Sequence, residues 1–148
     1  MIGSQAILGQ FPEGAPARAV VSMEADLLPI DAPEMSDMLT GAIGELSSFH
    51  DTFGYFGDGV SIEAAVLPDG WRERLIIGLC LEVHELVISK YAAGRDKDRE
   101  FCAALVESGL VDQGILQNRL ASTPLDTDNR VRIERWIATD YAAAGFRA

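Results

Sequence analysis

The sequence predicts an α+β fold, in which a small mixed β-sheet is followed by a C-terminal helical bundle. Two observations support this prediction. Apolar and polar residues alternate in short runs before residue 81, whereas from Val83 onward apolar residues recur at helical spacing. Strands followed by helices are typical of α+β proteins. Because the 148 residues contain no internal repeat, we interpret 1–148 as one domain with a sheet-rich half, 1–81, and a helical half, 82–148.

The sheet-rich half begins with a turn, a short helix and a strand. The turn contains Gly3 and Ser4, and the helix is expected over residues 5–10. The first strand is expected over residues 19–28. It ends before Pro29 because proline cannot donate to a β-ladder.

One helix and three further strands are expected before the helical half. The helix begins in the segment 31–34, where Pro33 suits the first turn, and ends near Leu46. Alternating and aromatic residues predict two strands within 49–67, and a short apolar run predicts another over 76–81.

Four helices are expected in the helical half, and residues that favour helix ends lie between them. The predicted ranges are 83–93, 97–108, 112–121 and 126–143. Gly94 suits the end of the first helix, Asp96 suits the N-cap of the second, and Pro124 separates the last two.

The composition disfavours several classes of function. Twelve basic and 23 acidic side chains give a formal net charge of -11, which disfavours a broad surface for long nucleic acids, although a local basic patch over 90–99 stays open. Cys80 and Cys102 lie in apolar runs without metal-type spacing, so we expect reduced, buried thiols. The chain lacks an apolar run of the roughly 20 residues that span a bilayer and a signal-peptide pattern, which predicts a cytoplasmic protein without a membrane partner.

Two carboxylates share one face of the first predicted strand. Glu24 and Asp26 are two residues apart, so they point to the same side. Their repulsion and lost hydration are unfavourable unless a cation lies between them, and oxygen ligands favour Mg²⁺ or Mn²⁺. A solvated strand face explains the same alternation, and both interpretations stay open. Glu63 would be a third carboxylate if its strand lies beside the first.

Charged residues also lie on the apolar faces of two predicted helices. Lys90 either extends its ammonium to the rim of the core or contacts a phosphate. Asp98 either interacts favourably with the helix dipole or serves as a general base or a partner for Lys90. His50 and His84 lack zinc-type spacing and are interpreted as structural residues.

Four segments together resemble a known family. Ile2-Gly3-Ser4-Gln5-Ala6, followed by Ser22-Met23-Glu24-Ala25-Asp26, resembles the glycine-serine and acidic-x-acidic motifs of the DNA polymerase β-type nucleotidyltransferase superfamily. The segment 81–98 resembles the helix–turn–helix block of bacterial nucleotidyltransferase-like proteins related to AbiEii-type toxins, in which a lysine precedes an Arg-x-Lys-Asp run. The segment 49–71 is similar in texture to a branch of that group, so the resemblance covers most of the chain.

The resemblance implies a nucleotidyltransferase-type sheet and transfer of a nucleoside monophosphate from an NTP to an acceptor hydroxyl. The Gly3-Ser4 turn would hold the triphosphate, and Glu24 and Asp26 would bind Mg²⁺ or Mn²⁺. Lys90 would contact phosphate, while Asp98 would assist catalysis or order the site.

The resemblance also implies partners. These are an NTP, an acceptor that could be RNA or protein, and a cognate antitoxin of a toxin-like protein. The alternatives are a catalytically inactive binding or regulatory protein and, with less support, a metal-dependent phosphohydrolase.

Overall fold

Two parallel strands and six α-helices form the regular structure of residues 1–76 and 79–145, the part of the chain that this computed structural model describes. The strands are β1 (Glu24–Leu27) and β2 (Phe56–Gly59). The helices are α1 (Ser36–Ile43), α2 (Ser48–Phe53), α3 (Val83–Ala93), α4 (Asp96–Glu107), α5 (Gln113–Ala121) and α6 (Thr127–Ala143). Short 3₁₀ helices occupy Ser4–Gly9, Ala17–Ala19, Pro33–Met35, Ile62–Ala64 and Trp71–Arg74.

The sheet is a parallel pair joined by a helical crossover. Glu24 is paired in register with Phe56, and Asp26 with Asp58. Parallel strands require a long connection, which α1 and α2 provide. The backbone of β2 lies directly against α1, since a Cβ atom at Gly59 would be 2.0 Å from the carbonyl oxygen of Ser36. The α+β class is therefore confirmed, with a smaller and simpler sheet than the expected mixed one.

The expected strands of the sheet-rich half are mostly replaced by other structure. The first strand is limited to Glu24–Leu27, and the segment 60–67 contains the 3₁₀ helix Ile62–Ala64 instead of a strand. Part of the aromatic segment 49–59 is helix α2, because Ser47 caps it by accepting a hydrogen bond from the backbone N–H of His50 at 3.2 Å. Local capping outweighs the strand preference of the aromatic residues there.

The expected strand over 76–81 is described only in part. Ile76 and Cys80 form an isolated antiparallel bridge, and residues 77–78 lie outside the described residues. Near the N-terminus, the predicted short helix is the 3₁₀ helix Ser4–Gly9, and Gly3 of the predicted turn is its N-cap residue.

The helical half agrees closely with its predicted ranges. Helix α3 lies at the centre of the core, with α4, α5 and α6 packed against it. Gly94 ends α3 in the left-handed conformation, at φ 68°. Arg95 occupies the N-cap of α4, one residue before the expected Asp96. Among the described residues, the helices are each too short or too polar to cross a membrane.

The N-terminal segment connects the sheet to the helical half. The backbone N–H of Ile2 donates to the carbonyl oxygen of Asp26 at 3.0 Å, and the carbonyl oxygen of Met1 accepts from the N–H of Leu81 at 3.1 Å. Gln10 extends this connection, because its side-chain oxygen accepts from the N–H of Val83 at 3.0 Å. These bonds hold the end of β1 close to α3.

Candidate functional site

A cleft of about 340 Å³ lies where β1, the N-terminal segment and the α3–α4 connection meet. Five of the residues expected at a site line it, from three separate parts of the sequence: Ser4, Glu24, Asp26, Lys90 and Asp98. Its lining also includes Arg95 and Lys97 from the expected basic patch, and Arg18, which the sequence did not identify.

Gly3 lies against the carboxylate of Asp26. A Cβ atom at Gly3 would be 1.7 Å from Asp26 Oδ2, so only glycine allows the carboxylate this position. Gly3 lines a smaller neighbouring cavity rather than the cleft itself. The expected glycine-serine turn therefore meets the acidic strand, although its two residues face different cavities.

The carboxylates of the sheet lie close enough to influence one another. Burial raises the pKa of Glu24, and the negative charges of Asp26 and Asp58 raise it further, while Lys97 and Lys90 oppose the shift. The ionised form of Glu24 is therefore disfavoured in the folded protein. A nearby cation would relieve this unfavourable charge.

Asp58 is a third sheet carboxylate that the sequence did not identify. It is paired in register with Asp26, and its Oδ1 atom is buried without a hydrogen-bond partner among the described residues. Gly44 allows this position, since a Cβ atom there would be 2.8 Å from Asp58 Oδ1. The sequence Phe56-Gly57-Asp58-Gly59 is typical of a turn, and only the pairing of β1 with β2 places Asp58 beside Asp26.

Two of the sheet carboxylates could hold a hard divalent cation in the cleft. Glu24 and Asp26 line the cleft and offer carboxylate oxygens, the ligands that Mg²⁺ and Mn²⁺ prefer. Asp58 lies beside Asp26 but outside the cleft lining, with its Oδ1 near Gly44. In the described part of the chain, these residues do not form a closed group of three side chains around one metal position. Water or phosphate oxygens would have to complete the coordination, as is usual for Mg²⁺.

Asp98 is held by two basic side chains. Arg95 donates to it from Nε at 2.6 Å and from Nη2 at 3.1 Å, and Lys90 Nζ lies 3.6 Å from Oδ1. Burial raises the pKa of Asp98, but the hydrogen bond from Arg95 and the charge of Lys90 outweigh it and hold the pKa below its usual value. This arrangement favours the role of a partner for Lys90 over that of a general base, because a low pKa makes a weak base.

Glu63 does not join the other carboxylates. It is exposed on the 3₁₀ helix Ile62–Ala64 and is absent from the cleft lining. A hydrogen bond with Ser61 lowers the pKa of Glu63. The expected position beside Glu24 required a strand over 60–67, and β2 takes that place instead.

The expected basic patch is divided between the cleft and the core. Lys90 and Lys97, the only lysines of the chain, both line the cleft. Arg99 instead packs over Trp136, with 4.4 Å between Cζ and the ring centroid, and donates to Asp140 at 3.0 Å. The cleft thus combines the carboxylates of β1 with cations and further carboxylates of α3 and α4.

These features give a polar cleft with the charges needed to bind a phosphorylated ligand through a cation. Comparison of the chain with protein-family models, curated proteins and solved structures gave no match.

Proposed function

We propose that the protein is a metal-dependent nucleotidyltransferase, which transfers a nucleoside monophosphate from an NTP to an acceptor hydroxyl and releases pyrophosphate. One observation carries this proposal: Ser4, Glu24, Asp26 and Lys90 are distant in sequence and line a single cleft. Carboxylates beside cations suit a ligand whose phosphates bind both to the protein and to a dication.

The cations of the cleft would bind the phosphates of the NTP. Lys90 is held in place by Asp98, and Lys97 lies near enough to Glu24 to influence its pKa. In a chain of net charge -11, the two lysines and two arginines of the cleft balance the four carboxylates of its lining, and a bound dication would make the site favourable for a polyanion. The hydroxyl of Ser4 would add a neutral donor on the other side.

The dication would be held by Glu24 and Asp26, the two sheet carboxylates that line the cleft. When bound, it would neutralise charge on the phosphate oxygens and favour displacement of pyrophosphate. The protein would contribute the positions of the ligands: Gly3 leaves room for the carboxylate of Asp26, and the negative charge of Asp58 lies next to it in the paired strand. Asp98 would keep Lys90 and Arg95 directed toward the cleft.

Transfer of radiolabel tests this function. The protein is incubated with Mg²⁺, the four α-³²P-labelled NTPs and a cell extract that supplies acceptors. We expect Asp26→Asn to reduce labelling at least about a hundredfold, the usual scale for loss of a group that stabilises the transition state. Glu63→Gln is the matched control, because Glu63 is an exposed acid outside the cleft. Equal labelling by Asp26→Asn and Glu63→Gln contradicts the proposal.

A second candidate function is nucleotide binding without transfer. It is favoured by the open spacing of the carboxylates, which in the described residues do not gather three ligands around one point. In this case Mg²⁺ and NTP would stabilise the wild-type protein, and no acceptor would be labelled. The labelling assay and a binding assay together separate the two functions.

A further inference from the structure

A second cavity of about 200 Å³ adjoins the cleft. Both cavities are lined by Asp26, Lys90 and Arg95, so molecules bound in the two would meet at these side chains. The remaining wall consists mainly of small residues, including Ala64 and Ala93. The proposed function places the NTP in the larger cavity and leaves the smaller one without an occupant.

Ser89 gives this second cavity a polar group that is available to a ligand. It lines the cavity, is 8% exposed, and its hydroxyl makes no hydrogen bond within residues 1–76 and 79–145. A serine hydroxyl can both donate and accept a hydrogen bond. A polar atom of a ligand would supply the missing partner.

The size and surroundings of the cavity favour a protein side chain as this ligand. Its volume is below the roughly 300–1,000 Å³ typical of sites for whole small molecules. The net charge of -11 disfavours a broad surface for a long polynucleotide around the cavity. Beside Ala64, the side chains of Ile62 and Val66 are 41% and 37% exposed and offer an apolar rim for a protein surface.

We propose, on the basis of the function proposed above, that the second cavity is the acceptor site and takes a hydroxyl-bearing side chain of a protein. The hydroxyl oxygen forms a bond to the α-phosphorus of the NTP, and the bond from this phosphorus to the oxygen bridging to the β-phosphate breaks. Pyrophosphate leaves with the bonding electron pair, and the hydroxyl proton passes to solvent. Ser89 donates a hydrogen bond to the acceptor.

Variants that fill the cavity test this assignment. Ala64→Leu and Ala93→Leu add bulk at exposed positions, so they are compatible with folding, and Ala142→Leu on α6 is a matched control at an exposed position elsewhere. Two quantities are measured: the affinity for Mg²⁺ with NTP, and transfer of α-³²P label to protease-sensitive material in a cell extract. We expect both cavity variants to bind NTP like the wild type and to lose labelling at least about tenfold. We expect Ser89→Ala to lose about tenfold, the scale of one hydrogen bond.

Each other result overturns the assignment. Loss of NTP affinity in Ala64→Leu would place the cavity within the nucleotide site, and unchanged labelling would show that acceptors bind elsewhere. Label in nuclease-sensitive material would identify a nucleic-acid acceptor instead of a protein. A wild-type protein that labels nothing defeats the transferase proposal as well, whereas equal labelling by wild type and Ala64→Leu defeats only the acceptor site.

Discussion

The negative charge of Glu24 is unfavourable in the folded protein. Burial and the neighbouring charges of Asp26 and Asp58 raise its pKa, so the folded protein holds a proton there more tightly than the unfolded chain does. Without a cation, the contribution of Glu24 to stability falls as pH rises from the ordinary value of 4.5 through the raised pKa. A bound dication would have to displace that proton.

Binding of Mg²⁺ should therefore depend on the protonation of Glu24. We expect the affinity for Mg²⁺ to rise as pH increases above 4.5 through the raised pKa of Glu24 and then to level off once Glu24 is ionised, because proton and metal compete for the same oxygens. Glu24→Gln should bind Mg²⁺ more weakly and with a flatter pH dependence. Isothermal titration at several pH values measures both. A pH dependence equally steep in the variant would assign the competing proton to another group.

Single residues that depart from their local pattern were the most predictable part of the site. Lys90 and Asp98 were identified because each places a charge on an apolar helix face, and the expected pairing between them is confirmed at 3.6 Å. His84 is structural as expected: its Nδ1 lies 2.6 Å from Glu82, and Nε2 accepts from the N–H of Asp112 at 2.9 Å. Asp58 was missed because its place depends on a strand partner about thirty residues away.

At the scale of elements, the helices of the helical half were predictable, whereas α2 and the strands were not. Helices α3–α6 are set by local periodicity and local caps, such as Asp126, which accepts from the N–H of Asn129 at 2.8 Å. The strands have only four residues each, which is too short for alternation to define their ends. Their parallel pairing is a long-range contact, and it decides that Asp58 rather than Glu63 lies beside Asp26.

Glu85 links three elements of the helical half. It is fully buried on α3 and forms ion pairs with Arg74, at the end of the 3₁₀ helix Trp71–Arg74, and with Arg119 of α5 at 2.8 Å. This linkage holds α3, which carries Lys90 and Ser89, against its neighbours.

Removing the carboxylate of Glu85 should destabilise the protein strongly. We expect Glu85→Ala to lower the free energy of unfolding by about 3 kcal/mol, because two partly buried arginines lose their partner. Urea denaturation at pH 7 measures the change. Glu63→Ala, at an exposed position, should alter stability by less than about 0.5 kcal/mol. A similar small change in both variants would show that the ion pairs contribute little.

For the whole molecule, the distribution of charge says more about possible ligands than the net charge does. The chain carries -11 overall, which alone disfavours a polyanionic ligand, yet it gathers four cations around one cleft: Arg18, Lys90, Arg95 and Lys97. The net charge was evident from the composition, and the α+β class from the pattern of apolar residues. The position of the cations was not, because it depends on how the N-terminal segment, β1 and the α3–α4 connection come together.

The central claim is that this cleft binds an NTP through a dication held by the sheet carboxylates, and thermal unfolding with Mg²⁺ and NTP tests it most directly. At about a hundred times the dissociation constant, ligand binding contributes about 2.7 kcal/mol, which raises the Tm of a domain of this size by roughly 5–10 °C. We expect this rise in the wild type and in Glu63→Gln, and its loss in Asp26→Asn and Glu24→Gln. No rise in the wild type, or an equal rise in all four proteins, would contradict the claim.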